Sequence, residues 1–149
     1  MSVEDKLKAL YDLQIVDRRI DEIRNLRGEL PLEVKDLEDE IAGLSNRVEK
    51  ITEDIKVSKQ EIKGHKLLIT TCEEKMTKYT DQQKNVRNNR EFDAIAKEVE
   101  YQELEIELAQ KHIGEFEENV TAKSLILEAA EEKMTERKSH LEFKQGELK

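Results

Sequence analysis

The stretch VRNNREFDAI, residues 86–95, decides the fold because two heptad patterns meet across it. It contains two adjacent asparagines, Asn88 and Asn89, between Arg87 and Arg90, and runs of Glu, Lys and aliphatic residues flank it on both sides. Asparagine is common in turns and at helix N-caps. The stretch is therefore a tight turn that reverses the chain, a binding site, or both, and the flanking sequence distinguishes these readings.

The composition favours long helices over a globular core. Of the 149 residues 41% are charged and 4% are aromatic, with one proline and no tryptophan. A chain rich in Glu, Lys, Leu and Ile is typical of coiled coils. Disorder is the competing interpretation for so charged a chain, and it fails if the apolar residues recur at a strict period.

Before the stretch, mostly apolar residues recur every seven positions in two phases, which is the a/d pattern of a coiled coil. The a positions are Ile20, Arg27, Val34, Ile41, Val48, Ile55, Ile62, Ile69, Met76 and Gln83. The d positions are Ile23, Leu30, Leu37, Leu44, Ile51, Ser58, His65, Cys72, Tyr79 and Val86.

After the turn, a second series has only apolar residues at position a, so disorder is rejected. These residues are Phe92, Val99, Ile106, Ile113, Val120, Leu127, Met134, Leu141 and Leu148. The d positions are weaker: Ile95, Gln102, Ala109, Phe116, Lys123, Ala130, Arg137 and Lys144.

The two series fit a single antiparallel register. If a faces d, the residue numbers of opposing partners add to 178, as for Val86 with Phe92 and Cys72 with Ile106. We therefore predict an all-α fold: a long antiparallel two-stranded coiled-coil hairpin whose turn is centred on Asn89.

In this register five polar seam residues meet apolar partners, so no two charges are buried together in these layers. Long Lys and Arg stems can cover a seam while their charged ends reach water. The opposing pairs are Ser58 with Val120, His65 with Ile113, Lys123 with Ile55, Arg137 with Ile41, and Gln83 with Ile95.

Pro31 interrupts the first series. Gly28 suits the residue after a helix end and Pro31 the start of a new helix, so we expect either a kinked or a separate N-terminal helix. We divide the chain into residues 1–28, an N-terminal helix that lacks an in-chain partner, and residues 29–149, a hairpin with its tip at 87–91. We expect either that the chain is part of a longer protein or that the N-terminal helix pairs elsewhere, for instance in a homodimer.

The sequence carries no recognisable catalytic, metal or cofactor signature. Catalysis needs convergent groups in a sheltered pocket, which a two-helix hairpin does not provide, so we expect no enzyme. His65, His112 and His140 lack metal-ligand spacing, and Cys72 is the single cysteine. The glutamates and lysines are typical of solvated helix faces.

The tip differs in charge from the rest of the chain. Residues 75–97 hold six basic and three acidic side chains, a net +3 within a chain of net −9, so the remainder is −12. A cationic tip can meet phosphates or an acidic protein surface. A hydrated turn is the alternative, with Asn88 or Asn89 in a left-handed or N-cap role and Glu91 as a further capping residue. The candidate partner-binding residues are Arg87, Asn88, Asn89, Arg90 and Glu91.

The location predicted from sequence is the cytoplasm, without membrane association. The N-terminus, MSVEDKLKAL, has no apolar signal region, and no apolar run is long enough for a transmembrane helix. The net charge of −9 also argues against a general affinity of the whole chain for nucleic acid.

The run NNREFDAIAKEVEYQELEIE resembles a segment of the bacterial C4-type zinc-ribbon coiled-coil family. The stretch LYDLQIVDRRIDEI is similar to the opening helix of that family. The specific matches are Asn89, Arg90, Glu91, Phe92, Ala94, Ile95, Lys97, Glu98, Val99 and Glu100.

The resemblance implies a regulatory adaptor with an N-terminal helical hairpin, a four-cysteine ribbon, and nucleic-acid or protein partners. This chain departs from the family because it has no C-x-x-C pair, and Cys72 belongs to the seam. Zinc is therefore expected only if a ribbon follows Lys149, and nucleic-acid binding by the hairpin alone is in doubt. The alternative function is a structural or chaperone-like coiled coil that pairs with helices of a protein partner or of itself.

Overall fold

Two long helices make up the part of the chain that the structure describes. The computed structural model describes residues 2–148, with side chains for residues 2–147, and contains α1 (Val3–Asn85, 83 residues) and α2 (Asn89–Leu148, 60 residues). The helices pack against each other, and residues 2–148 include no strand. The predicted all-α helical hairpin is thus confirmed. No helix in this part of the chain is both long and apolar enough to cross a bilayer.

The start of α1 is capped by Ser2. Its hydroxyl accepts a hydrogen bond of 3.2 Å from the Asp5 N–H, and its carbonyl accepts one of 3.3 Å from the Lys6 N–H. Glu4 and Asp5 lie in the first turn, where negative charge is favourable at the positive end of the helix dipole.

Pro31 lies inside α1, which continues through it. The predicted alternative of a separate N-terminal helix is therefore wrong. Gly28 does not end a helix, since no glycine in residues 2–148 has a positive φ. A proline within a helix removes one backbone hydrogen bond and favours a bend, and a long helix can absorb that local loss when its neighbouring turns stay bonded.

The chain forms two compact units, and α1 and α2 each contribute to both. One unit is Val48–Ala129. In its α1 segment every predicted a and d residue is buried or half-buried, and in its α2 segment the same holds from Ile95 onward. The most buried residues, between 1% and 8% exposed, are Ile51, Ile55, Ser58, Cys72, Gln102 and Ala109.

The other unit comprises the described parts of Met1–Arg47 and Ala130–Lys149. Its core holds Leu30, Leu37 and Ala130, each 7% to 8% exposed. The predicted Leu30–Leu148 layer lies outside the described side chains. All of residues 2–29 are exposed.

The register agrees with the predicted one to within one residue. Within the described residues, each cross-helix ion pair joins residues whose numbers add to 177, as in Asp54–Lys123 (3.3 Å) in one unit and Glu33–Lys144 (3.2 Å) in the other. The third such ion pair joins Arg137 Nε to Glu40 Oε1 at 2.9 Å. All three basic residues are d positions, and each cationic group leaves the seam to meet an acid on the flank of α1.

Two polar seam residues have partners that the sequence reading missed. Ser58 accepts a hydrogen bond of 2.8 Å from the side-chain amide of Asn119. The His65 ring stacks on His112, with ring centroids 5.2 Å apart, and on Phe116 at 5.9 Å. Asn119 and His112 were missed because the prediction considered only the a and d positions, and the apolar layer partners predicted for Ser58 and His65 stay a prediction.

Candidate functional site

The turn that connects the two helices is short. Residues 86–88 are non-helical between the end of α1 at Asn85 and the start of α2 at Asn89. The Val86 N–H donates to the Gln83 carbonyl at 3.4 Å, which tightens the last turn of α1. The turn thus precedes the predicted centre at Asn89 by about two residues, because Asn89 already belongs to α2.

Asn88 is the N-cap of α2. Its side-chain oxygen accepts a hydrogen bond of 2.9 Å from the Arg90 N–H, and its carbonyl accepts one of 3.0 Å from the Phe92 N–H. This is the pattern of a capping asparagine. No residue of the described chain other than glycine has a positive φ, so the left-handed alternative for Asn88 or Asn89 is wrong.

All five predicted site residues are exposed and lie together at the tip. Arg87 lies in the turn, Asn88 caps α2, and Asn89, Arg90 and Glu91 occupy its first three positions. Glu91 lies where a negative charge favours the helix N-terminus. Because Asn88 already uses its side-chain oxygen in the cap, the arginines and Asn89 have the side chains best placed to contact another molecule.

The two arginines are available for an external anion. Within residues 2–148, no ion pair involves Arg87 or Arg90. Lys84 differs, since its ammonium lies 3.9 Å from the Asp81 carboxylate. A guanidinium that holds no internal carboxylate can form two parallel hydrogen bonds with a phosphate or carboxylate.

Phe92 extends the tip surface beyond the predicted residues. It was assigned to the seam opposite Val86, yet 45% of it is exposed. The end of the seam has no further layer above it, which explains why this ring remains uncovered. Gln83 crosses the reversal and donates to the Phe92 carbonyl at 3.4 Å. In the sequence, the exposure of Phe92 was indicated only by its position as the first a residue of α2.

The part of α1 that precedes the tip carries an open depression of about 500 Å³. It is lined by Thr71, Glu74, Lys75, Thr77, Lys78 and Asp81. Its two lysines lie between its two acids on a single helix face, and this open surface does not exclude water. Residues 2–148 contain no cluster of three or more His, Cys, Asp or Glu side chains arranged to hold a metal ion.

No protein-family model, curated protein or solved structure matches this chain.

Proposed function

We propose that the protein is a non-enzymatic adaptor of the cytoplasm whose cationic tip binds an anionic partner, with nucleic-acid phosphates as the first partner to test. The observation that carries this proposal is that Arg87 and Arg90 are exposed and hold no internal carboxylate. The partly exposed Phe92 adds an aromatic surface beside them.

Local charge matters more than net charge for such a contact. The tip region, residues 75–97, carries +3 although the chain carries −9. Exposed charges separated by more than about 8 Å are largely screened at physiological ionic strength. An anion at the tip therefore experiences mainly Arg87, Arg90 and Glu91, a net +1 within residues 86–91, whereas more distant acids and lysines both act only weakly.

The resemblance of residues 88–107 to zinc-ribbon coiled-coil proteins supports an adaptor that contacts nucleic acid or protein. In that family the ribbon would hold zinc through four cysteines, and these 149 residues contain only one. An acidic protein surface is the other anion that the tip could bind, and the experiment below tests the nucleic-acid partner.

The test measures binding of fluorescein-labelled single-stranded RNA and duplex DNA to the full chain at low salt by anisotropy. Arg87→Ala with Arg90→Ala should weaken binding at least tenfold. The matched control is Lys133→Ala with Lys138→Ala, which makes the same change in net charge at two exposed positions away from the tip. Absence of binding by the unsubstituted chain, or equal losses in both double variants, would refute nucleic-acid recognition by the tip.

A second candidate function, pairing with helices of a partner or a second copy, is favoured by the N-terminal part of α1. This segment leaves a row of large apolar side chains exposed by 37% to 73%. Helical segments with such a stripe usually bury it against another helix. The residues are Val3, Leu7, Leu10, Tyr11, Leu13, Ile15, Val16, Ile20, Ile23 and Leu26.

Sedimentation over a range of concentrations tests this second candidate. Self-association should appear as an apparent molecular mass that increases with concentration. This increase should disappear in the double variant Leu10→Glu with Leu13→Glu. The control Lys8→Glu changes a charge on the same segment without removing an apolar side chain. A monomer at all concentrations would contradict pairing with a second copy.

A further inference from the structure

The outer face of α2 carries an apolar stripe that faces away from α1. Tyr101, Leu104 and Leu108 are 56%, 58% and 49% exposed. They follow the spacing i, i+3, i+7, which places them on one helix face over about 10 Å. Gln102 and Ala109, which are 5% and 1% exposed, each lie about 100° around the helix from the stripe residue that precedes them, on the buried face of α2.

A row of glutamates runs along each side of this stripe. At 100° per residue, Glu98 and Glu105 fall on one side of it and Glu100 and Glu107 on the other. Within residues 2–148 none of these four carboxylates forms an ion pair with a basic side chain. Residues 98–111 hold five acids and one base, a net −4.

The surface also has a shallow concavity. A depression of about 470 Å³ is lined by Leu104, Glu107, Leu108 and Lys111. At one end of the stripe, the charge of Glu105 raises the pKa of the Tyr101 phenol above its usual value of 10.0, with a smaller contribution from Glu98. The exposed Tyr101 ring contributes apolar surface at that end of the stripe.

We propose that the stripe Tyr101–Leu104–Leu108 docks a basic amphipathic helix of a partner protein. The apolar anchors of that helix, at i, i+3 or i+4, and i+7, pack on the three side chains, and its Lys or Arg residues meet the glutamates on both sides. This surface is independent of the tip and gives the hairpin a second partner of defined chemistry.

Charge complementarity selects a basic partner over a second copy of this chain. Two copies of the stripe packed on each other would oppose two segments of net −4, and like charges at close range are repulsive. A basic helix instead gains attraction on both sides of the apolar contact. The sequence reading treated these glutamates only as a solvated face, because it did not consider the outer c and f positions of α2.

The test uses three labelled peptides and the full chain. The first peptide is a helix with Leu at i, i+3 and i+7 and Lys on both sides, the second replaces each Lys by Glu, and the third keeps the composition of the first in scrambled order. Anisotropy should show binding of the first peptide at least tenfold tighter than of either other peptide. Equal binding of the first and scrambled peptides would show that binding depends on net charge and not on the spacing of the apolar residues. That result would overturn the proposal.

Substitutions in α2 identify the site at which the peptide binds. Leu104→Gln with Leu108→Gln should weaken binding at least tenfold, and Glu98→Gln with Glu105→Gln should weaken it and flatten its salt dependence. Leu125→Gln is the matched control, because Leu125 is an outward leucine of the same helix, 65% exposed, and should leave binding within twofold. An equal loss in the control would contradict the assigned site.

Hydrogen exchange on the unsubstituted chain locates the bound peptide without any substitution that could perturb the fold. The first peptide should slow exchange within residues 98–111 and not elsewhere in α2. Protection confined to another segment would overturn the proposal. A monomer–dimer equilibrium altered by Leu104→Gln would show instead that the stripe binds a second copy. The variant Arg87→Ala with Arg90→Ala should leave peptide binding unchanged. Failure of the tip proposal can therefore be distinguished from failure of the stripe proposal.

Discussion

The Ser58 hydroxyl of α1 accepts a hydrogen bond of 2.8 Å from the Asn119 side-chain amide of α2, and Ser58 is only 3% exposed. A buried hydroxyl without a partner costs about 1–3 kcal/mol. Asn119 therefore allows a polar residue to occupy a core position of the coiled coil, and the pair helps to fix the register of the two helices.

A double-mutant cycle tests this relationship. Asn119→Ala alone should destabilise the fold by about 1–2 kcal/mol, since it leaves Ser58 buried and unpaired. Adding Ser58→Ala should recover part of that loss, giving a coupling energy of about 1 kcal/mol in urea unfolding followed by circular dichroism. Strict additivity of the two substitutions would show that the hydrogen bond contributes nothing to stability.

Substitutions can distinguish the capping role of Asn88 from that of its neighbour Asn89. Asn88→Ala should lower the free energy of unfolding by about 1 kcal/mol, because the Arg90 N–H loses its acceptor. Asn88→Asp should retain the cap, and Asn89→Ala, at the first position of α2, should have little effect. Equal losses for Asn88→Ala and Asn89→Ala in thermal unfolding would contradict the assignment of the cap.

Arg137 and Glu40 should contribute unequally although they form one ion pair. Glu40→Ala removes only a partly exposed charge and should cost about 0.2–1 kcal/mol. Arg137→Ala should cost more, since the arginine stem also covers the seam, and Arg137→Met should recover most of the difference. At about 1 M salt, where the Debye length falls to about 3 Å, the Glu40 effect should fade and the Arg137 effect should persist. Equal costs at both salt concentrations would argue against packing by the stem.

Gly64 should tolerate a side chain. A Cβ at this position would meet nothing within 4 Å, and its φ is not positive. Gly64→Ala should therefore stabilise the helix by about 0.5–1 kcal/mol, and Gly114→Ala should act similarly. A fall in the melting temperature of either variant would indicate a role for the glycine that the hairpin alone does not explain.

The heptad period was enough to predict the fold. From Val34 to Val86 every a and d residue is buried or half-buried, and contacts in both units keep one register. Pro31 misled the prediction, because local propensity was given more weight than the packing and bonding available to a long helix. The ion pairs and the Ser58–Asn119 hydrogen bond were missed because they join seam residues to flanking positions.

The position of the turn was predicted from the sequence to within about two residues, but its capping was not. The five tip residues do lie together, and the sequence alone could not decide whether Asn88 or Asn89 caps α2. The exposure of Phe92 depends on where the last packed layer ends, which a repeat pattern does not define. Tip binding, the family resemblance and the cytoplasmic location stay predictions.

The salt dependence of nucleic-acid binding tests the central claim most directly. For single strands the logarithm of the binding constant falls with the logarithm of salt concentration with a slope of about −0.7 per phosphate neutralised. If Arg87 and Arg90 each contact one phosphate, removing both should reduce the magnitude of the slope by about 1.4, whereas the Lys133 and Lys138 control should leave it unchanged. A slope that is the same in the unsubstituted chain and the Arg87→Ala, Arg90→Ala variant would contradict recognition by the tip.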